Sequence, residues 1–180
     1  MTPNPTIPDL AREIGLDAAA LGRLHPGIAS RDAVRALVDD GMPGAAVRLL
    51  VRLLPRSYVV PWLCQCATAA PLADEEREGV RLAETWSHGR GEAHRRAALA
   101  YAGSRHYVGI GALVAATAGW SEGFLLDAEG KDVAPVATHL MAVVAGAALL
   151  TLAASGDDFE TCCRALVDAG LPLLRPEESP

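Results

Sequence analysis

The sequence contains few aromatic residues and no excess of positive charge. Only 4% of its 180 residues are aromatic although 51% are hydrophobic, and alanine and leucine supply most of the apolar side chains. Charged residues make up 21%, and the formal net charge is -6. This composition excludes intrinsic disorder, collagen-like repeats and a small disulfide scaffold, and it argues against a nucleic-acid-binding protein that relies on net charge.

Neither a signal peptide nor a disulfide framework is expected. Residues 1–9 contain neither a basic stretch nor an apolar one, so we expect no signal peptide. The four cysteines are Cys64, Cys66, Cys162 and Cys163, and adjacent cysteines are poorly placed to bond each other. We therefore expect a cytoplasmic, reduced protein. The fifteen arginines against one lysine fit the coding bias of a GC-rich genome, and we assign them no function.

The longest apolar run is too short for a membrane span. The segment from Leu140 to Ala154 is almost entirely apolar but has only 15 residues, whereas a transmembrane helix needs about 20. Pro135, Thr138 and His139 precede it on its N-terminal side. The sequence thus predicts a buried core helix here and no contact with a membrane.

Sustained two-residue alternation, which is typical of half-buried strands, is absent, and helical spacing recurs instead. We predict an all-α, single-domain bundle of about eight or nine short helices around a buried Ala-rich helix at residues 136–154. Another of these helices is predicted at residues 106–118. The domain is expected at residues 9–175, between a flexible N-terminal tail at residues 1–8 and a C-terminal tail at residues 176–180.

Two segments nearly repeat each other. Residues 35–43 and 164–172 match at seven of nine positions, and both contain a glycine followed by an apolar residue and a proline. This pattern predicts a helix that ends with Gly41 or Gly170 in the left-handed conformation. Either duplication of a helical unit or two independent solutions to ending a helix would explain the match, and we favour the second.

The segment Gly119–Gly123 fits the G-x-S-x-G pattern of a serine-hydrolase nucleophile elbow. Ser121 would be the nucleophile, with Asp127 or Asp132 and then His139 in the chain order of that fold. The pattern requires a strand before the serine and a helix after it, whereas an Ala-rich helical segment precedes it here and a polar loop follows. The preferred interpretation is a helix-ending turn, and a hydrolase is the alternative.

Metal-ligating side chains occur without the spacing of a metal site. His88, Glu92 and His94 are close in sequence, but glycines intervene and no zinc-ligand spacing occurs. Cys66, Cys162 and Cys163 fall on predicted core faces of helices, where a thiol acts as a small hydrophobic group, and Cys64 points about 200° away from Cys66, so the two would not share a metal ion. Gly109 and Gly111 lack the preceding strand and the third glycine of a dinucleotide-binding loop. We therefore expect no metal and no cofactor.

A local basic cluster lies in this acidic protein, formed by Arg90, His94, Arg95, Arg96 and Arg105. Arginines mixed with aromatic residues can bind single-stranded nucleic acid. Pairing with the acidic helix that precedes the cluster, or simple solvation, is the preferred interpretation. For any arginine left unpaired, an acidic protein surface is favoured over nucleic acid as the ligand.

Three sequence blocks together resemble a known family. They are residues 46–66 with Leu-Leu-Pro-Arg and Trp-Leu-Cys-Gln-Cys, residues 83–86 with 95–102, and Gly-Trp-Ser-Glu-Gly at 119–123 followed by 133–140. Their order and spacing resemble a bacterial family of unknown function whose members are small helical proteins, and the resemblance covers residues 45–175. That family occurs in gene neighbourhoods of type VI secretion. The resemblance therefore implies an accessory role that depends on binding a partner, and it implies no catalytic residue.

From these features we expect a non-enzymatic accessory or adaptor protein, associated with type VI secretion, that contacts a secretion component or an effector. The candidate contact residues are apolar residues of a predicted loop at residues 119–134 and three arginines: Trp120, Phe124, Leu125, Leu126, Arg90, Arg95 and Arg96. Apolar residues in a loop need cover, either from a partner or from the chain's own core. A small serine hydrolase that uses Ser121 and a purely structural, homodimeric helical domain are the alternatives.

Overall fold

The computed structural model describes residues 4–127 and 129–175, and these ranges confirm the all-α class. They form ten α-helices, one 3-10 helix and one short β-hairpin, so the helices slightly outnumber the prediction. In chain order the elements are α1 (Ile7–Glu13), α2 (Ala18–Leu21), α3 (Ser30–Asp39), α4 (Pro43–Leu53), α5 (Arg56–Thr68), α6 (Asp74–Gly89), α7 (Glu92–Ser104), α8 (Ile110–Gly119), β1 (Phe124–Leu126), β2 (Asp132–Pro135), α9 (Leu140–Ala154), α10 (Phe159–Gly170) and the 3-10 helix Leu171–Leu173. The expected tail at 176–180 and the first three residues lie outside the described ranges.

The first helix begins before residue 9, where the domain was expected to start. The Thr6 hydroxyl accepts a hydrogen bond from the Asp9 backbone N–H, and the Asp9 carboxylate accepts one from the Thr6 backbone N–H. This reciprocal pair is a capping box, which satisfies two N–H groups that the first turn leaves without helical partners. Ile7 and Pro8 are therefore helical, which corrects the expected tail at residues 1–8 at these two positions.

The described chain forms two compact units. Residues 4–55 and 153–175 make up the first unit, and residues 56–127 and 129–152 make up the second. The single domain expected at residues 9–175 stays a prediction. In the first unit α4 packs against α3 and α10, and its core includes the fully buried Leu37, Leu49 and Leu50.

In the second unit α8 packs against α5, α6 and α7. Every residue of α8 except Leu113 is buried, because its glycines and alanines let neighbouring backbones approach closely. The N-cap of α8 is Gly109, which has no side chain to satisfy the first N–H groups. The Glu76 carboxylate of α6 instead accepts a hydrogen bond from the Gly111 N–H, and a negative charge is favourable at this end of a helix.

The two similar segments end their helices differently. Gly41 follows α3 in the left-handed conformation, with φ of +75°, as the pattern predicts. Gly170 has φ of -88° and is the last residue of α10, which runs directly into a 3-10 helix. The prediction of a left-handed glycine is therefore wrong for the second segment, so the sequence match does not correspond to one shared way of ending a helix.

Arginine side chains bond the carbonyl groups that helix ends leave without partners. Arg48 donates to the Ile14 carbonyl just after α1, and Arg95 donates to the Gly119 carbonyl at the end of α8 (2.9 Å). Arg31 donates to the Leu174 carbonyl after the 3-10 helix (3.3 Å). Cationic side chains near a helix C-terminus satisfy these carbonyls and interact favourably with the helix dipole. The excess of arginine over lysine thus has a structural use that its coding-bias interpretation did not include.

The apolar run at the end of the second unit forms α9. Its buried residues include Met141, Ala145, Ala148 and Leu149, as expected for a core helix. Among the helices of the described ranges, none combines the length and the apolar character needed to cross a membrane.

Candidate functional site

The segment predicted as a loop at residues 119–134 folds into an antiparallel β-hairpin, which corrects that prediction. Leu125 pairs with Ala134 and Phe124 with Pro135, and the register shifts between Leu125 and Leu126. The turn is held by the Asp127 carboxylate, which accepts hydrogen bonds from the backbone N–H groups of Glu129 (3.0 Å) and Lys131 (2.8 Å). The apolar side chains of this segment therefore project from a regular element.

A groove of about 620 Å³ lies between α7, the hairpin and the segment before α8. We call it the hairpin groove. Its lining combines one face of α7 with apolar and backbone groups of the hairpin: Arg96, Leu99, Ala100, Gly103, Tyr107, Trp120, Leu125, Leu126, Asp127 and Gly130. Its volume falls in the range of known ligand sites, and its walls are mainly apolar with a few polar groups.

Tyr107 and Trp120 stack on one another within this lining. Their ring centroids are 5.0 Å apart and the planes are inclined by 19°. His106 and Tyr107 both adopt the left-handed conformation, with φ of +53° and +58°, so the helix predicted from His106 begins only at Ile110. A non-glycine residue in this region costs on the order of 1–3 kcal/mol, and such strain concentrates at functional sites.

Three of the predicted contact residues, Trp120, Leu125 and Leu126, come together in the groove. Phe124 lies outside the lining, and 44% of its surface is exposed. Sequence reasoning missed Tyr107 as a groove residue, because it was assigned to a continuous helix. It also missed the face of α7 formed by Leu99, Ala100 and Gly103, since small residues on a helix give no signal of a groove above them.

Arg95 is not an exposed contact residue, which corrects its predicted role. Its side chain is buried, and it donates to both carboxylate oxygens of Glu92 (2.7 Å each). It also donates to the carbonyl oxygens of Gly119 (2.9 Å) and Phe124 (3.3 Å). Arg95 thereby fixes the start of β1 to the end of α8 and the first turn of α7. The hydrogen bonds from Arg95, and those from Arg96, hold the pKa of Glu92 at about 2.

The other arginines of the predicted basic cluster are mostly paired. Arg96 lines the groove and bonds Glu92 (2.7 Å), Asp132 (3.0 Å) and the Gly130 carbonyl (2.8 Å). Arg105 pairs with Glu75 of α6 (3.0 Å), as the interpretation of pairing with the preceding acidic helix predicts. Arg90 is exposed and lies over the Trp86 ring, 4.8 Å from its centroid. The cluster therefore does not form one free basic surface, and an acidic ligand loses its main support.

Ser121 has a local geometry different from that of a nucleophile elbow. The helix α8 precedes it and the strand β1 follows it, which is the reverse of the strand-turn-helix order that the elbow needs. The buried Ser121 hydroxyl donates to the Ala118 carbonyl (2.6 Å). Within the described ranges, no hydrogen bond links Ser121 with His139.

The cysteines remain thiols in hydrophobic surroundings. Cys64 and Cys163 are buried, and loss of hydration raises the pKa of the Cys64 thiol to about 12 and that of Cys163 to about 11. The pKa of Cys66 is raised to about 11, also mainly by burial. Such thiols are protonated and unreactive at neutral pH. In the part of the chain that the structure describes, no group of three or more His, Cys, Asp or Glu side chains is arranged to hold a metal ion.

Comparison with known proteins gives a family and no function. No curated protein and no solved structure matches the chain. One family model, described as a family of unknown function (DUF6931), matches residues 33–174. The match includes every residue that lines the hairpin groove and both segments of the near-repeat, residues 35–43 and 164–172. It spans most of the sequence, and the chain therefore belongs to this family of unknown function, DUF6931.

Proposed function

We propose that this protein is a non-enzymatic adaptor that binds another protein through the hairpin groove. The observation that carries the proposal is the strained Tyr107, whose ring stacks on Trp120 at the groove while 43% of the residue stays exposed. The left-handed residues His106 and Tyr107 end α7 with backbone hydrogen bonds to the Gly103 and Ala102 carbonyls (2.9 Å each), and non-glycine residues in this conformation are concentrated at binding and active sites. Exposed aromatic residues beside an apolar groove are typical of protein interfaces, in which tyrosine and tryptophan are enriched.

Exposed apolar side chains in the same part of the chain support the proposal. Phe124 on β1 and Val133 on β2 are 44% and 65% exposed, and Val108 beside Tyr107 is 73% exposed. Single exposed apolar residues are common on protein surfaces. Here three occur in the two segments that contribute walls to the groove, and such concentrations mark interaction surfaces.

The hydrogen bonds that hold the hairpin in place also support a binding role. Arg95 donates a hydrogen bond to the Phe124 carbonyl at the start of β1, and the Asp127 carboxylate closes the turn by accepting one from the Lys131 N–H. A surface that is fixed before binding loses less conformational entropy when its partner docks. The groove would therefore present Leu125 and Leu126 to a partner in a defined position.

We further propose that the partner is a component or an effector of type VI secretion and that the contact takes place in the cytoplasm. The support for this step is the resemblance of the three sequence blocks to a family found in type VI gene neighbourhoods. The geometry of the groove supports protein binding in general, and the identity of the partner is tested separately below.

The test is affinity purification from the native host with tagged wild-type protein and variants of matched exposure. Phe124→Asp and Tyr107→Ala are expected to lose a partner that the wild type retains. Tyr58→Ala is the matched control, because Tyr58 is 50% exposed and does not line the groove. Circular dichroism checks that each variant is folded.

Retention of the same partners by wild type, Phe124→Asp and Tyr107→Ala would contradict the proposed role of the groove. If no component of the type VI secretion apparatus co-purifies with the wild type, the link to type VI secretion is contradicted, even if the variants lose other partners.

A further inference from the structure

The charges around the hairpin groove are mainly negative. The hairpin carries four carboxylates, on Glu122, Asp127, Glu129 and Asp132, against the single cation Lys131. All five residues are exposed. Within the described ranges, Glu122 and Glu129 form no ion pair. Asp127 lines the groove, Glu129 adjoins the lining residue Gly130, and Glu122 follows the lining residue Trp120 by two positions. We call these three carboxylates the acidic rim. A partner that approaches the groove beside them meets an excess of negative charge.

The nearest arginines do not offset this excess. Arg95 is buried and forms an ion pair with Glu92, donating to both of its carboxylate oxygens. Arg96, the one arginine in the groove lining, is shared between Glu92 and Asp132. Because these arginines already face carboxylates of the chain itself, the charges that remain beside the groove are those of Glu122, Asp127 and Glu129 against the single cation Lys131.

The edges of the hairpin favour recognition through side chains over strand pairing. The Phe124 carbonyl on β1 is occupied by Arg95, and β2 ends in Pro135, which has no N–H to donate. A strand of four residues with a proline offers a poor template for an added strand. The apolar floor of the groove, formed by Leu99, Ala100 and Gly103 of α7, offers room for side chains instead.

We propose that the segment that docks in the hairpin groove carries large apolar side chains flanked by lysine or arginine. This inference rests on the proposed function and adds the chemistry of the partner. The apolar side chains would enter between Leu125, Leu126 and the floor of α7, and the flanking cations would face Glu122 and Glu129 on the rim. Complementary charge of this kind contributes specificity and speeds association.

Three synthetic peptides labelled with a fluorophore test the inference by fluorescence anisotropy with the wild-type chain of 180 residues. The first is Lys-Lys-Leu-Phe-Leu-Lys-Lys, the second replaces its lysines by glutamates, and the third replaces its apolar centre by serines. The first peptide is expected to bind at least about tenfold more tightly than either of the others, and raised salt is expected to weaken it.

Two pairs of variants locate the binding. Glu122→Lys combined with Glu129→Lys is expected to weaken the first peptide by about tenfold or more. The matched control Asp39→Lys with Asp168→Lys makes the same change of charge at exposed positions near the ends of α3 and α10 and is expected to leave binding unchanged.

The second pair tests the groove itself. Tyr107→Ala is expected to weaken the first peptide, whereas the similarly exposed Tyr58→Ala does not. The comparison of the three peptides uses the wild-type chain, so it does not depend on the folding of any variant.

Each other outcome overturns the inference in a recognisable way. Equal binding of the lysine and glutamate peptides would contradict the inferred preference for basic flanking residues, but it would leave the proposed function unaffected. Equal binding of the serine peptide would show general attraction between opposite charges without use of the groove. Failure of all three peptides, or a wild-type dimer in light scattering that Tyr107→Ala abolishes, would overturn the inference, and the host purification would then decide the proposed function independently.

Discussion

Gly79 of α6 and Gly111 of α8 lie where the two helices cross at backbone contact. A methyl group on Gly79 would overlap the Gly111 carbonyl and the Tyr101 ring, and one on Gly111 would overlap the Glu76 carbonyl. Both obstacles to substitution include backbone atoms, which cannot move aside as a flexible side chain can. The two glycines therefore determine how closely α8 approaches α6. α8 is the most deeply buried helix of the second unit, which also contains the hairpin groove.

Substitution of either glycine by alanine is expected to destabilise the protein. Overpacking typically costs about 1–3 kcal/mol, whereas alanine gains only up to about 1 kcal/mol over glycine in a helix. Gly103→Ala on α7 is the control, because the nearest atom to an added methyl there is the Tyr107 hydroxyl at 3.8 Å. Urea unfolding should show a lower free energy of unfolding for Gly79→Ala and Gly111→Ala and a slightly higher one for Gly103→Ala. A gain in all three would contradict the close crossing.

The helices of this fold could be predicted from the sequence because their signals are local. Apolar spacing, acidic first turns and punctuating Gly and Pro all act within a few residues. The hairpin could not be predicted in this way, since three residues in β1 are too few to show alternation. Its first strand is bonded by Arg95, whose carbonyl partners Gly119 and Phe124 are 24 and 29 positions away in the chain.

Some residues of the candidate site could likewise be predicted from the sequence, and others could not. Trp120, Leu125 and Leu126 could be singled out because apolar residues in a polar segment are locally unusual. Arg95 could not be separated from its exposed neighbour Arg96, because burial of an arginine depends on which backbone carbonyls the fold brings to it. Tyr107 was missed because helical spacing gives no sign of a left-handed residue.

Arg95→Lys is expected to destabilise the protein by about 1.5–3 kcal/mol, because a lysine cannot reproduce the bonds to Glu92, Gly119 and Phe124 together. Arg77→Lys is the control: its side chain is 64% exposed and pairs with Asp74 of the same helix, and exposed ion pairs contribute about 0–1 kcal/mol. Hydrogen exchange should become faster in β1 for Arg95→Lys and remain unchanged for Arg77→Lys. Equal effects of the two variants would show that Arg95 does not hold the hairpin.

Glu92 is expected to make stability depend on pH in the acid range. Its pKa is lowered from 4.5 to about 2, first by its hydrogen bonds with Arg95. A carboxylate with a lowered pKa in the folded state stabilises the fold above the ordinary value of 4.5. That stabilisation is lost as the pH falls from about 4.5 to about 2. The effect is limited by solvent, since the Glu92 side chain is 54% exposed.

Glu92→Gln should therefore lower the free energy of unfolding at pH 7 and flatten its fall between pH 4.5 and 2. In the Arg95→Lys background the same substitution should have a smaller effect, because the main partner of the carboxylate is already altered. Urea unfolding at a series of pH values measures both. An equal effect of Glu92→Gln in the two backgrounds would contradict the assigned cause of the pKa shift.

His106→Gly is expected to stabilise the protein by about 1 kcal/mol, because glycine adopts a positive φ without the steric cost that histidine meets. Tyr107 keeps its ring in this variant, so its stacking on Trp120 should persist. Unfolding experiments measure the gain, and the near-ultraviolet circular dichroism of the aromatic pair provides the control. A loss of stability would show that the His106 side chain makes a contact worth more than the backbone strain.

Ser121→Ala is expected to leave reaction with a fluorophosphonate probe unchanged and to lower stability by about 1 kcal/mol. The hydroxyl is buried and donates to the Ala118 carbonyl at 2.6 Å, and removal of such a bond typically costs about this much. A nucleophilic serine needs its hydroxyl presented to the substrate and bonded to a base, whereas here the hydroxyl donates its hydrogen bond to a main-chain carbonyl. Gel fluorescence after probe treatment compares the two proteins beside a known serine hydrolase as the positive control. Labelling of the wild type that disappears in Ser121→Ala would establish the hydrolase alternative in place of the adaptor, because a covalent adduct at this residue requires the hydroxyl to leave Ala118 and react.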